Sequence, residues 1–135
     1  MNKIILEGRS IIEGKVFGEL IISRKPLSFL GGIDIVTGKI IDPNSNLYGE
    51  QLTGKIFYLP TSIGSTVGAF VIYKLYKEHL SPKAILCEKA DTMLVTGCAI
   101  SNVPLIDDIN INKLPKVDII KNCEVDGNRV IITED

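Results

Sequence analysis

The sequence predicts a β-rich α/β domain, with layered or barrel-like sheets carrying one main helix. Three observations predict it. Isoleucine recurs in adjacent pairs at 4-5, 11-12, 21-22, 40-41, 119-120 and 131-132, and a β-branched side chain fits a pleated, half-buried surface better than a helix. Convincing spacing of apolar residues three and four apart is confined to residues 66–80. No repeat, linker or low-complexity stretch divides the 135 residues, a length at which one hydrophobic core forms without disulfides or metals as staples. Residues 1–135 are therefore expected to form a single domain.

Taken in order, Gly14 and Gly18 punctuate residues 4–23 into two or three extended pieces, after which Pro26 opens a loop over residues 27–32. Residues 33–41 place two short apolar runs around Thr37-Gly38 and read as a tight hairpin. Asp42-Pro43-Asn44-Ser45-Asn46 is a turn. Residues 55–59 form a compact strand that stops at Pro60. In the helix, Val67, Phe70, Val71, Leu75 and Tyr76 make the packed stripe, while Lys74, Lys77, Glu78 and His79 hold the wet face. Ser65 or Thr66 serves as its N-cap, and Ser81-Pro82 ends it, because the residue before proline is pushed out of the helical region. Strands resume at 84–86 and 93–95, with a second short helical turn near Asp91 or Ala99 and a further short strand over 103–106. Residues 117–120 and 128–132 around Asp126-Gly127 form a terminal hairpin.

Composition excludes several classes of function. With 45% hydrophobic and 23% charged residues and a net charge of -1, the chain reads as soluble and globular. Its 15 basic residues are scattered among 16 acidic ones, so no face concentrates the positive charge that nucleic acid requires. Glu7 interrupts the first apolar stretch, so neither signal peptide nor membrane span is expected and the protein is expected in the cytoplasm. Cys87, Cys98 and Cys123 show neither a C-x-x-C pair nor neighbouring histidines. They read as reduced, buried thiols, with no metal expected in this chain.

Two segments can carry chemistry. In residues 60–68, Pro60-Thr61-Ser62-Ile63-Gly64-Ser65-Thr66-Val67-Gly68, a strand hands over to a helix through small residues. Backbone N–H groups and the positive end of a helix dipole make such a junction an anion site; equally, Gly64 can supply a turn and Ser65 merely cap the helix. It is neither a phosphate-binding P-loop nor a dinucleotide fingerprint. In residues 28–34, Ser28-Phe29-Leu30-Gly31-Gly32-Ile33-Asp34, the paired glycines permit close approach of a ligand or another chain, or form an ordinary turn over Phe29 and Leu30. His79 reads as a solvated helix residue, and Asp107 and Asp108 as loop carboxylates without a visible partner.

Those two segments, in that order, together with Thr37-Gly38, Pro82-Lys83-Ala84-Ile85 and Val103-Pro104-Leu105, make the chain resemble the small subunit of archaeal aconitase X proteins over nearly its whole length. The resemblance implies a swivelling β/β/α domain that docks on a large subunit, the two forming a heterodimer. It implies no cofactor in this chain and an iron-sulfur cluster in the large subunit. The implied activity is a hydro-lyase acting on a small anionic substrate, since archaeal two-subunit members dehydrate (R)-5-phosphomevalonate to trans-anhydromevalonate 5-phosphate. The family mechanism assigns the departing hydroxyl to the cluster iron and proton removal from carbon to a serine of the small subunit. By motif that serine is Ser65, with Gly31, Gly32, Asp34, Gly64 and Thr66 toward the substrate. Ser62, in the same loop where the family pattern often has glycine and a basic residue, is the second candidate for that base. A serine is a poor base in water, so the helix N-terminus and groups brought by the partner must activate it. Two other readings stay open: a subunit of a different aconitase X dehydratase, acting on hydroxyproline or another hydroxy acid, and a non-catalytic module that binds an anion or a partner protein.

Overall fold

The computed structural model describes residues 2–64 and 67–134. Eight strands form one sheet in the order β1-β8-β7-β3-β4-β5-β6-β2. They are β1 (Asn2–Glu7), β2 (Arg9–Ile12), β3 (Lys15–Ile22), β4 (Ile56–Leu59), β5 (Ala84–Cys87), β6 (Leu105–Asp107), β7 (Ile119–Asp126) and β8 (Arg129–Glu134). A short helical turn α1 (Phe29–Gly32) and the helices α2 (Gly68–Lys77) and α3 (Thr92–Ser101) complete the fold. The β-rich α/β class expected from the sequence is what forms, with the sheet curled into a half-barrel.

Strands β3, β4, β5 and β6 run parallel, and the remaining pairings are antiparallel. Central parallel strands are covered on both faces and so carry unbroken apolar runs. Ile56-Phe57-Tyr58-Leu59 and Ala84-Ile85-Leu86-Cys87 are such runs, and every residue of both is buried. Alternate side chains enter two different cores: Ile21, Phe57, Leu59, Ile85, Cys87 and Leu105 pack under α2 and α3, while Leu20, Ile22, Ile56, Tyr58, Leu86 and Ile106 meet the residues of β7 and β8 inside the curl. Tyr58 keeps its hydroxyl satisfied there by donating to the Ile109 carbonyl at 2.8 Å.

The two edge strands are joined through a single residue, since β1 ends at Glu7 and β2 begins at Arg9. Gly8 is that corner, and a Cβ on it would lie 2.4 Å from the Asp107 carbonyl oxygen. Between β3 and β7 the register advances two residues on one strand and three on the other, a bulge that bends the sheet at Gly18. The terminal hairpin forms as expected, with Gly127 at φ +61 in the first of its two loop positions.

Four local expectations are corrected. Residues 93–95 are not a strand but the first turn of α3, capped by Asp91; the segment is apolar on almost every side, so no stripe distinguishes helix from strand, and only the Asp-x-x-Leu cap spacing marks it. The hairpin at 33–41 shrinks to an isolated Ile33–Ile40 bridge around a turn. The buried face of α2 is Gly68, Ala69, Val71, Ile72 and Leu75, whereas Phe70 is 70% exposed and Val67 is exposed too. Small residues face α3 because the helices approach closely: a Cβ on Gly97 would lie 3.2 Å from Ala69 Cα. Finally, α2 ends before Ser81-Pro82. His79 turns left-handed at φ 60, its N–H donating to Tyr76 and that of Leu80 to Leu75, the paired bonds of a Schellman cap.

Candidate active site

Because β3, β4, β5 and β6 run parallel, the loops that follow them leave from one edge of the sheet, where α/β folds place their ligands. That edge gathers residues 23–28, 60–64 and 88–91, with Asp108 after β6. Arg9 arrives from the antiparallel β2, directly opposite Asp107. An open depression of about 450 Å³ lies among Arg9, Glu88, Lys89, Asp107 and Asp108.

The segment after β4 is held from two sides. Leu27 and Ser62 form a parallel bridge, with Ile63 N–H donating to the Leu27 carbonyl at 3.1 Å. On the other side Glu88 N–H donates to the Pro60 carbonyl at 3.0 Å. Ser62, only 8% exposed, donates its hydroxyl to Asp91 Oδ2 at 2.6 Å. Gly64 then turns at φ +107, a conformation other residues rarely adopt, and its missing Cβ would sit 3.0 Å from Ser28 Oγ. Ser28 Oγ itself donates to the Leu30 carbonyl at 2.9 Å.

Ser65 and Thr66 lie outside the described residues. Their flanks are placed: Gly64 precedes them, and Val67 stands at the cap position of α2. No acidic residue occupies the first turn of α2, so the positive end of its dipole is not offset from within the helix. Anions and developing negative charge are favoured at such an end.

The other residues marked by the sequence are distributed as follows. Gly31 turns at φ +86 with open space around its Cα, and Gly32 packs against Leu27. Phe29 is buried beneath them, edge-on to Phe57 at 6.3 Å between ring centroids. Asp34 accepts the Val36 N–H at 2.8 Å, and that bond lowers its pKa from the ordinary carboxylate value. Its turn packs beside Leu80, at the C-terminal end of α2. The structure therefore brings the Ser28 and Gly64 loops together, and sets the Asp34 turn beside the C-terminal end of α2, away from its first residue Gly68.

Two carboxylates have partners that the sequence does not reveal. Asp107 is not a loop residue without a partner: it ends β6, is 2% exposed, and takes both Arg9 Nε at 2.9 Å and Arg9 Nη2 at 2.7 Å. Burial pushes its pKa up, but the Arg9 hydrogen bonds, the Ala90 N–H and the Arg9 charge outweigh that, leaving the carboxyl below its usual range. Asp91 divides its oxygens, Oδ1 capping α3 through Leu94 N–H at 2.9 Å and Oδ2 holding Ser62.

The thiols are buried as expected. Burial raises all three pKa values, to about 12 for Cys98 and for Cys123. Cys87 and Cys98 belong to the core under the helices and Cys123 to the core inside the curl, so the three do not make a set that could ligate a cluster. Among the described residues no group of three or more His, Cys, Asp or Glu is placed to hold a metal ion, and no helix is long and apolar enough to cross a membrane.

Comparison with known proteins gives consistent matches. Residues 5–133 match the aconitase X swivel domain. The chain is 45% identical over 130 residues to the phosphomevalonate dehydratase small subunit of Thermococcus kodakarensis, covering 96% of this chain and 97% of that one. It is 48% identical to the protein of the same name from Pyrococcus furiosus, with 92% and 90% covered. The crystal structure of Thermococcus kodakaraensis aconitase X in its holo-form superposes with a TM-score of 0.89 at 43% identity, over 97% of this chain and 99% of that chain.

Proposed function

The chain belongs to the aconitase X swivel-domain family, and on that premise we propose that it is the small subunit of a phosphomevalonate dehydratase. End-to-end likeness to small subunits of that name carries the reading, and being a small subunit implies a large one. The reaction is removal of water from (R)-5-phosphomevalonate to give trans-anhydromevalonate 5-phosphate. Its iron-sulfur cluster belongs to the large subunit, where it supplies a Lewis acid for the departing hydroxyl; the cysteines here do not fit that task. This chain's part is to present Ser65 as the proton acceptor from carbon, with the two subunits joined as a heterodimer.

The local chemistry supports that assignment. Ser65 follows a glycine whose φ of +107 redirects the chain and precedes a helix with no acidic residue in its first turn. The dipole at that end favours the alkoxide character a serine needs to act as a base. Thr66 and Gly64 flank the serine toward the substrate. Gly31 turns the neighbouring loop at φ +86 with open space beside it, Gly32 packs that loop against Leu27, and Asp34 fixes the turn that follows them. Closure of the large subunit over this edge excludes water and strengthens the electrostatics.

The test is co-production of this chain with its large subunit and assay of phosphomevalonate dehydration. The pair is expected to be active and this chain alone inactive. A well-formed, cluster-loaded pair that turns over hydroxyproline and leaves phosphomevalonate untouched would overturn the substrate assignment.

A further inference from the structure

We propose that Asp91 is a positioning residue for the dehydration, acting through Ser62 to hold the segment that delivers Ser65; the role rests on the reading of Ser65 given above. One carboxylate serves two elements at once. Oδ1 accepts Leu94 N–H and fixes the start of α3, and Oδ2 accepts the Ser62 hydroxyl at 2.6 Å, a short bond of the charge-assisted kind. Ser62 lies three residues before Ser65, and between them only Gly64 adopts an unusual backbone conformation.

Among the described residues, backbone pairings supply the segment's other restraints. Its backbone is bridged to Leu27 on one side and meets Glu88 N–H through the Pro60 carbonyl on the other. Beyond Ser62, Ile63 is 53% exposed, so among the described residues the Ser62 to Asp91 bond is the last side-chain tether before the chain turns at Gly64. Asp91 also couples this tether to helix packing: Met93, in the first turn of α3, lies where a Cβ on Gly68 would meet its sulfur at 3.0 Å, and Gly68 begins α2. The carboxylate thus ties the start of α3 to the loop that feeds the start of α2. Displacing a reacting group by about 1 Å can cost up to about a hundred-fold in rate, so slack in this tether appears in turnover.

The experiment uses the reconstituted two-subunit enzyme and (R)-5-phosphomevalonate. Ser62→Ala removes the tether and leaves the α3 cap; Asp91→Asn keeps a cap acceptor and removes the charge. Each is expected to lower kcat about ten-fold while KM stays within about two-fold, with thermal midpoint and subunit association retained. The double variant is expected to be no slower than the slower single one, and Ser62→Thr, which keeps a hydroxyl, to recover most of the lost kcat. Wild-type kcat in both single variants, multiplicative losses in the double variant, or a change in KM at constant kcat overturns the role. Loss in Ser62→Ala as complete as in Ser65→Ala, with no recovery by Thr, also overturns it. An inactive Ser65→Ala enzyme beside a fully active Ser62→Ala enzyme sinks the positioning role alone, whereas an active Ser65→Ala enzyme sinks the reading of Ser65 and the positioning role with it.

Discussion

Arg9 and Asp107 meet in parallel fork geometry across the β2–β6 pair, two nitrogens on two oxygens at 2.9 and 2.7 Å. The carboxylate is buried and the guanidinium largely exposed, so the pair joins the edge strand β2 to the rim of the candidate site. Its removal is predicted to have a pH signature. Asp107 titrates below its ordinary value in the folded chain, so its contribution to stability is complete above the unfolded carboxyl value of about 3.9 and is lost as pH falls through the lower folded value. Arg9→Met leaves a buried carboxylate with fewer partners. Denaturant titrations should find this variant less stable than the parent at pH 7, with the gap narrowing below about pH 4; an equal gap at both pH values would contradict this.

Gly8→Ala places a methyl group 2.4 Å from a backbone oxygen and 2.7 Å from Ile106 Cγ2. Neither β2 nor β6 can move without opening the pair, so a loss of about 2–3 kcal/mol is expected, read as a lower denaturation midpoint at unchanged slope.

Gly64→Ala combines a left-handed backbone with a Cβ 3.0 Å from Ser28 Oγ. About 1–2 kcal/mol of stability should be lost. Turnover of the two-subunit enzyme should fall by at least about ten-fold, because the residue that moves is the neighbour of Ser65.

His79→Gly should do the opposite for stability. His79 holds the left-handed position of the α2 cap, where glycine is the preferred residue, and relief of that backbone is worth about 1 kcal/mol. A rise in thermal midpoint with unaltered association to the large subunit is the expected outcome.

The thiols of Cys87, Cys98 and Cys123 are buried, with pKa values raised by that burial. An aromatic disulfide reagent at pH 8 should therefore label none of them in the native chain and all three after denaturation. Rapid labelling of native protein would show that one of these cores opens readily.

Much of the fold was legible because it rests on local chemistry. The isoleucine pairs mark β1, β3, β7 and β8, the apolar runs at 56–59 and 84–87 mark the central strands, and Asp126-Gly127 marks the last hairpin. Helix α3 is hidden in the sequence because Met93, Leu94, Val95, Cys98, Ala99 and Ile100 surround the axis with apolar groups, which removes the periodicity that reveals a helix. The stripe of α2 is hidden for a related reason, since Gly68 and Ala69 give little hydrophobic signal but permit close contact with Met93 and Gly97 of α3.

The sequence by itself determined the β-rich class, the turn at Gly64 ahead of α2, and the likeness to the aconitase X family, because each depends on residues adjacent or nearly adjacent in the chain. Only the tertiary structure decided that Asp91 holds Ser62, 29 residues away, and that Asp107 is gripped by Arg9, 98 residues away. Those pairings exist because parallel strands deliver their loops to one edge of the sheet and an antiparallel edge strand returns to it. Strand order of that kind is fixed by burial of two cores on opposite faces, which no local stretch of sequence encodes.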